Sequence, residues 1–550
     1  MRHKTIAMLD VPEQRAPTTS VFGAWVAARE AMEESIRHLA PVRVQIFVEN
    51  DVDLRMNRLA AFARKHRWRH VRFAHLHSLA EADKNFRIDH WHDFMVGLRP
   101  FALRRGLGGE FPISICHHAI SYSQQLHDLF LKLLLEDVQP WDSLVCASTA
   151  SREAIERIFA SIAEWFERKF RADISFRGRL DLVPFGVRTD LFRPGGKRAA
   201  RKRYRLPQDA IVILWLGRIS ERDKADLLPL LRVFRRLRER NSRQRLLLVI
   251  AGAEYERGVQ SAQIKHYARL LGIAQATRII TTVPPQDRHR LFAAADVFVS
   301  PADNPQETFG LAPIEAMSAG VPQVVADWDG YRDTVRHGET GFLIPTRWIK
   351  CDQKLERMGA AFDTDMLDHL YAAQSVAVDF DALEQHLQLL IERPELRMQM
   401  GKASRERALR EYDWKIVIAK LQELWAEQGR IRRRLRRERK EFSRPHYTDT
   451  RLFDFFKDYA SHLLTGNEVV VLTDEHERVS ARSEPLPYYF AKRWQFDAAI
   501  YSAITIALER TAPMSILALE RKFAGRFGSE RVRQHLMWLL KYGYVRISSR

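Results

Sequence analysis

Short apolar runs, each closed by a polar or glycine-containing break and followed by helical spacing, recur along most of this 550-residue chain. Thr5–Leu9 and Val42–Val48 read as strands with a helix over Val21–Leu39 between them. Ile113–Cys116 reads as an apolar strand ending in His117-His118 and a turn, and Leu144–Ser148 as a strand entering an N-capped helix at Thr149. Farther on the pattern is more regular, with strands predicted at Ile211–Leu216, Leu246–Ala251, Arg278–Thr282, Val297–Ser300, Gln323–Ala326 and Phe342–Pro345. Strand alternating with helix is the signature of doubly wound α/β domains. The pattern predicts two Rossmann-like domains, 1–185 and 186–428, the second ending in a helix that reaches about Gln428. Residues 347–376 interrupt it and read as an insertion, since the pattern resumes at Val378. The end of the chain differs. Glu468–Leu472 and Arg478–Ala481 read as a small hairpin, followed by helices near Phe496–Glu509, Ile516–Arg526 and Ser529–Tyr542 and a strand over Gly543–Ile547. That order predicts a small α+β, winged-helix-like domain over 445–550.

Composition leaves this picture standing. Hydrophobic residues at 46% and charged residues at 29% are globular values. No apolar run approaches the roughly 18–20 residues that cross a bilayer, and the apolar run at the start is too short for a signal peptide. Three cysteines (Cys116, Cys146 and Cys351), far apart and odd in number, suit neither a disulfide framework nor a cysteine zinc site, so a cytoplasmic location is expected. The net charge of +19 is unevenly placed: residues 430–444 hold nine Arg/Lys against two Glu, whereas residues 445–550 hold 15 Arg/Lys against 12 Asp/Glu. Segment 429–444 therefore reads as a solvated basic helical linker. Peripheral contact with an anionic membrane at its inner face is the other use of such a run, although a broad apolar face is lacking.

The candidate chemistry is concentrated between Ala295 and Pro345. Glu307 in a loop and Glu315 in the following helix sit eight apart, with the small-residue turn Thr308-Phe309-Gly310-Leu311 between them. The turn delivers backbone N–H groups to a helix mouth, which is an anion site. Carboxylates beside such a site would meet neutral hydroxyls rather than phosphates. A ligand that is anionic in the middle and polyhydroxylated at both ends fits, and a nucleotide-diphosphate sugar has that form.

This run, with EAMSAGVP and a later G-x-T-G-F-L stretch, resembles the donor site of the retaining GT-B glycosyltransferases of family 4. The resemblance covers about 1–428 and implies two Rossmann-like domains facing a cleft. It implies that Glu307 contacts sugar hydroxyls, Glu315 holds the ribose, and the turn from Phe309 through Gly310 and Leu311 meets the diphosphate. Gly217, Arg218 and Lys224 resemble the family's phosphate-binding G-R-x…K segment, with Ala225 where glycine is common. A forked guanidinium and a point-charge ammonium suit a diphosphate. His118 takes the position of the family's histidine and is, with Glu307, a candidate catalytic residue; Ser148 matches a serine at its strand–helix junction. Val183–Pro194 resembles the interdomain segment, with Gly186 as pivot and with Phe185 and Arg188 in place of Asn and Asp. The first loop, residues 10–20, lacks glycine, so Thr18, Thr19 and Ser20 read as helix caps rather than phosphate ligands.

The activity implied is retaining transfer of a sugar to an acceptor hydroxyl on a glycan, a lipid-linked or a small molecule, with no metal and no cofactor beyond the donor. His90-Trp91-His92-Asp93 is the one His/Asp cluster that invites a metal, but it offers too few converging ligands. Two other readings compete: a nucleic-acid-directed transferase recruited by 430–444 and the tail, and a scaffold whose winged helix does the binding. The third predicted helix of the tail is apolar after His535 and the domain is only weakly basic, so protein or peptide docking through 445–550 is preferred to nucleic acid.

Overall fold

The computed structural model describes residues 4–11, 23–49, 53–55, 57–80, 86–122, 124–254, 256–350, 358, 367–435, 446–476, 497–511 and 513–548. The chain divides into two compact units, Met1–Phe442 and Ser443–Arg550. Cys351, the proposed caps Thr18, Thr19 and Ser20, and the Arg478–Ala481 half of the expected hairpin lie outside the described residues.

The first unit holds two parallel sheets. One runs through β1 (Thr5–Leu9), β2 (Arg43–Val48), β3 (Val71–His75), β4 (His90–Asp93), β5 (Ile113–Cys116), β6 (Ser143–Cys146) and β7 (Arg179–Leu182), in the order β3-β2-β1-β4-β5-β6-β7. The other comprises β8 (Ile211–Leu216), β9 (Leu246–Ala251), β10 (Thr277–Ile280), β11 (Val297–Ser300), β12 (Gln323–Ala326) and β13 (Gly341–Ile344), in the order β10-β9-β8-β11-β12-β13. β8 and β9 are apolar and buried along their whole length because helices cover both faces of a parallel sheet. In β8 the alternation of side chains sends Val212, Leu214 and Leu216 into one core and Ile211, Ile213 and Trp215 into the other. Both strand orders reverse once, at β1 and at β8, and in such sheets ligands bind at the carboxyl ends beside the reversal. The loop after β8 and the loop after β11 meet at that point.

The two sheets are joined by the segment after β7 and by a long returning helix, Trp414–Leu435. Gly186 lies against the Trp414 ring, where an added Cβ would come within 2.4 Å of it, so that crossing admits no side chain. Val417, Leu421 and Trp425 of the helix enter the core of the first sheet. Farther along, Gln428 Nε2 donates to the carbonyls of Ile113 and Trp141. The helix runs past the boundary expected at 428, so the first part of the basic linker is its last turns. Gln428 and Gly429 are buried there, and the arginines that follow hid this packing in the sequence. Trp425 Nε1 donates to Ser114 Oγ, which also meets His90 Nε2 at 2.9 Å and His92 Nδ1 at 2.7 Å. The two histidines are thus buried hydrogen-bonding groups of the core, and burial lowers His92 to about 3.

The 347–376 segment leaves and re-enters through an antiparallel pair, β14 (Thr346–Trp348) and β15 (Val376–Val378), with a helix over Leu367–Gln374 before the return. In the second unit, β16 (Val469–Leu472) pairs with β17 (Met514–Ser515) on one side and β18 (Val545–Ile547) on the other. Helices Ala498–Thr511, Ile516–Phe527 and Ser529–Lys541 pack Ile500, Ile504, Leu519, Val532 and Leu536 over that sheet.

Candidate active site

Two loops at the carboxyl ends of β8 and β11 make the site. Gly217 and Gly252 end β8 and β9 so closely that a Cβ on Gly252, whose φ is +144°, would stand 1.6 Å from the Gly217 carbonyl oxygen. After β11, Gly310 has φ +93°, and a Cβ there would meet the Tyr331 ring at 2.3 Å. Only glycine permits this turn. It opens the helix Leu311–Ser318, whose first amides receive no side-chain cap. These uncapped N–H groups face a cleft of about 240 Å³ lined by His118, Gly217, Arg218, Lys224, Glu307, Phe309, Gly310 and Leu311, among others.

Every predicted donor-side residue except Glu315 lines this cleft, and Glu315 reaches it through Arg288. The ion pairing differs from a simple clamp. Lys224 Nζ is bonded to Glu307 Oε2, and Arg218 to the fully buried Asp223. Tyr331, itself hydrogen bonded with Ser300 Oγ, donates to Glu307 Oε2 at 3.2 Å. Burial opposes charge on Glu307, but the Lys224 ammonium, the Tyr331 hydroxyl and the Phe309 amide outweigh it and hold the carboxyl below its ordinary value. Glu315 behaves oppositely: burial lifts it to about 7, although Arg288 Nη2 donates to its Oε2 at 2.6 Å. The Phe309 ring is buried against Phe185, so the residue offers the cleft its backbone rather than an open face.

His118, at the end of β5, lies against the same cleft from the first sheet. Its ring stacks on Phe185 at 4.9 Å, and its Nε2 donates to the Phe94 carbonyl at 2.5 Å. A carbonyl only accepts, so Nδ1 is the acceptor nitrogen of the ring. Burial lowers His118 to about 4, which makes it neutral around pH 7. Direct hydrogen bonds tie this half to the Glu307 loop. Thr308 Oγ1 donates to the His118 carbonyl, Ser148 Oγ to the Thr308 carbonyl at 2.7 Å and to Asp329 at 3.2 Å, and the Thr149 amide to Asp333 at 2.6 Å. Ser148 also caps the helix Thr149–Phe170, as expected. From the insertion, His369 Nε2 meets Ser121 Oγ at 2.8 Å.

Arg288, Tyr331, Asp223 and Asp329 belong to the site but were absent from the sequence reading. Asp223, between Arg218 and Lys224, carried a signal: an acid inside a two-cation loop is a ready counter-ion. Arg288 carried none, being 27 residues from Glu315 with no shared motif.

Residues 196–358 match the model of the family described as glycosyl transferases group 1. D-inositol 3-phosphate glycosyltransferase 2 of Catenulispora acidiphila is 36% identical over 198 residues, 35% of this chain and 45% of that protein. The D-inositol 3-phosphate glycosyltransferase of Stackebrandtia nassauensis is 34% identical over 251 residues, 43% of this chain and 53% of that protein. The chain thus spans about half the length of the curated relatives it matches. Sucrose-phosphate synthase of Thermosynechococcus elongatus superposes with a TM-score of 0.51 at 19% identity, covering 78% of this chain and 100% of that one. Anabaena HepE in complex with UDP and glucose superposes with a TM-score of 0.51 at 14% identity, covering 77% of this chain and 100% of that one. The two parallel sheets form a GT-B-like fold, and residues 196–358 within it are a glycosyl transferases group 1 domain.

Proposed function

We propose that this cleft binds a nucleotide-diphosphate sugar and that the protein is a retaining, metal-independent glycosyltransferase. The observation that carries the reading is the union, in one cleft, of the uncapped helix mouth at Gly310–Leu311 with the Lys224–Glu307 pair. The amides, Arg218 and Lys224 would take the diphosphate, Glu307 the sugar hydroxyls and Glu315 the ribose. When phosphate draws Lys224, Glu307 is left to accept hydroxyls from the sugar. The acceptor oxygen bonds to the anomeric carbon while the carbon–oxygen bond to the phosphate breaks. The diphosphate leaves with the electron pair, and the acceptor proton passes to a departing phosphate oxygen. Donors fixed in advance on that phosphate stabilise the charge that grows there. No side chain is assigned as a covalent nucleophile, and His118, neutral with Nδ1 as acceptor, would receive a sugar hydroxyl. Support for the donor class comes from HepE, which shares the fold and was crystallised with UDP and glucose. The relatives named for inositol phosphate support an acceptor hydroxyl of polyol type.

The test is a thermal-shift screen against UDP-, GDP-, ADP- and TDP-sugars and their diphosphates, since a ligand that binds only the native state raises its stability. Stabilisation by one base family, lost in Lys224→Ala, is expected; no shift with any of them would overturn the reading. We assign the 445–550 unit to protein or peptide docking. Its third helix points Val532, His535, Leu536 and Leu539 inward, and its Arg531 and Arg533 are paired with Asp497 and Glu520. Cations neutralised in this way are poor phosphate readers, which disfavours nucleic acid. We also propose a cytoplasmic location, with contact to an anionic membrane through 429–444; no helix among the described residues is long and apolar enough to cross a membrane.

A further inference from the structure

Three cations border the cleft, and each is matched by a carboxylate: Arg218 by Asp223, Lys224 by Glu307 and Arg288 by Glu315. The first two lie in the loop after β8. Arg288 comes from elsewhere, the start of the helix Arg288–Ala294 that follows β10. The cleft is also lined by Leu216, Gly252, Ala253, Val283 and Pro285, none of which has a side-chain hydrogen-bonding group, and Val283 and Pro285 are near Arg288 in the chain. One of its terminal nitrogens, Nη2, is held by Glu315, while its Nε–H is buried and meets no acceptor among the described residues. A buried donor without a partner loses free energy that an incoming acceptor atom restores.

We propose that Arg288 reads the nucleoside portion of the ligand, donating its Nε–H to a base carbonyl or a ribose oxygen. The proposal rests on the donor reading above and adds to it the residue that separates a nucleotide from a bare diphosphate. A neutral oxygen can accept from the buried Nε–H while Nη2 stays on Glu315. Position agrees: Glu315 lies about one helical turn beyond the helix mouth at Leu311, past the amides that suit the diphosphate. Apolar walls at Val283 and Pro285 suit a flat base, and Arg288 supplies the directional contact that such walls lack. Arg288 also keeps Glu315 and its neighbour Glu30 compensated, since its charge acts on both carboxyls.

Calorimetric affinities for UDP, GDP, ADP and inorganic pyrophosphate, measured on the full chain and three variants, test this. For the nucleoside diphosphate that binds best, Arg288→Ala is expected to lose roughly tenfold or more in affinity, the cost of one hydrogen bond from a charged donor. Its affinity for pyrophosphate should stay unchanged. Arg288→Lys keeps a cation opposite Glu315 but has no Nε–H, so it should fold as the wild type and show the same selective loss. Lys224→Ala should weaken both ligands together. Equal losses for pyrophosphate and nucleotide in Arg288→Ala would make Arg288 a phosphate ligand and overturn the proposal, as would full nucleotide affinity in Arg288→Lys. In either case a Lys224-dependent nucleotide site would still stand. A wild type that binds neither nucleotide nor pyrophosphate would remove the donor reading itself, and this proposal with it.

Discussion

Lys224 and Glu307 share one bond, but their removal has unequal consequences. The Lys224 side chain is 23% exposed and that of Glu307 9%. Glu307→Ala leaves an ammonium that can turn to water, whereas Lys224→Ala leaves a buried carboxylate without its main counter-ion. Both variants should lose turnover, by about a hundredfold or more, if the pair acts on donor sugar and leaving phosphate. Only Lys224→Ala should also lose stability, by about 1–3 kcal/mol, the usual cost of stranding a buried polar group. Steady-state kinetics with thermal melts check this, and near-native turnover in either variant would end the donor-site assignment. At this scale the sequence showed which residues meet but not how they pair. Glu307, Gly310 and Glu315 are close in the chain, and local geometry alone brings them to one helix mouth. Lys224 is 83 residues from Glu307, and that bond depends on β8 and β11 being neighbours.

The elements facing each other across the cleft are held by the Ser148–Thr308–Asp329 contacts, and Asp329 makes that clasp sensitive to pH. Burial, with nearby Glu307 adding to it, pushes Asp329 up to about 8 from 3.8. A folded value above the unfolded one means the native state holds the proton more tightly. The resulting stability is complete below the unfolded value of 3.8 and is lost as pH rises through about 8. Asp329→Asn removes the titration, and asparagine tolerates the backbone φ of +43° at this position. Between about pH 5 and about pH 8 the wild-type melting temperature should fall more steeply than that of Asp329→Asn. Parallel curves would show that Asp329 does not govern the clasp. Strands such as β8 and β9 were legible because both faces of a parallel sheet are buried there and apolar residues run unbroken. The return helix was legible only to Gln428: its final turns are rich in arginine, and their packing on the first sheet involves Gln428 and Gly429 rather than an apolar stripe.

As a whole molecule, the chain is two compact units divided at Phe442 and Ser443. The cleft, its ion pairs and the returning helix all lie in the first. A chain ending at Phe442 should therefore fold and bind nucleoside diphosphate with the affinity of the full protein, measured by calorimetry; loss of binding would assign the second unit a part in the site. The sequence by itself determined what local physics controls: unbroken apolar runs made the strands, helical spacing the helices, and glycine at a left-handed turn opened the helix after β11. Tertiary structure alone decided which distant groups would be partners. Arg288 with Glu315, Lys224 with Glu307, His369 with Ser121 and the β16 pairing with β17 and β18 join residues far apart in the chain. A charge several kilocalories costly to bury alone takes whichever opposite charge the path of the chain brings within reach, and no spacing along the sequence records that path.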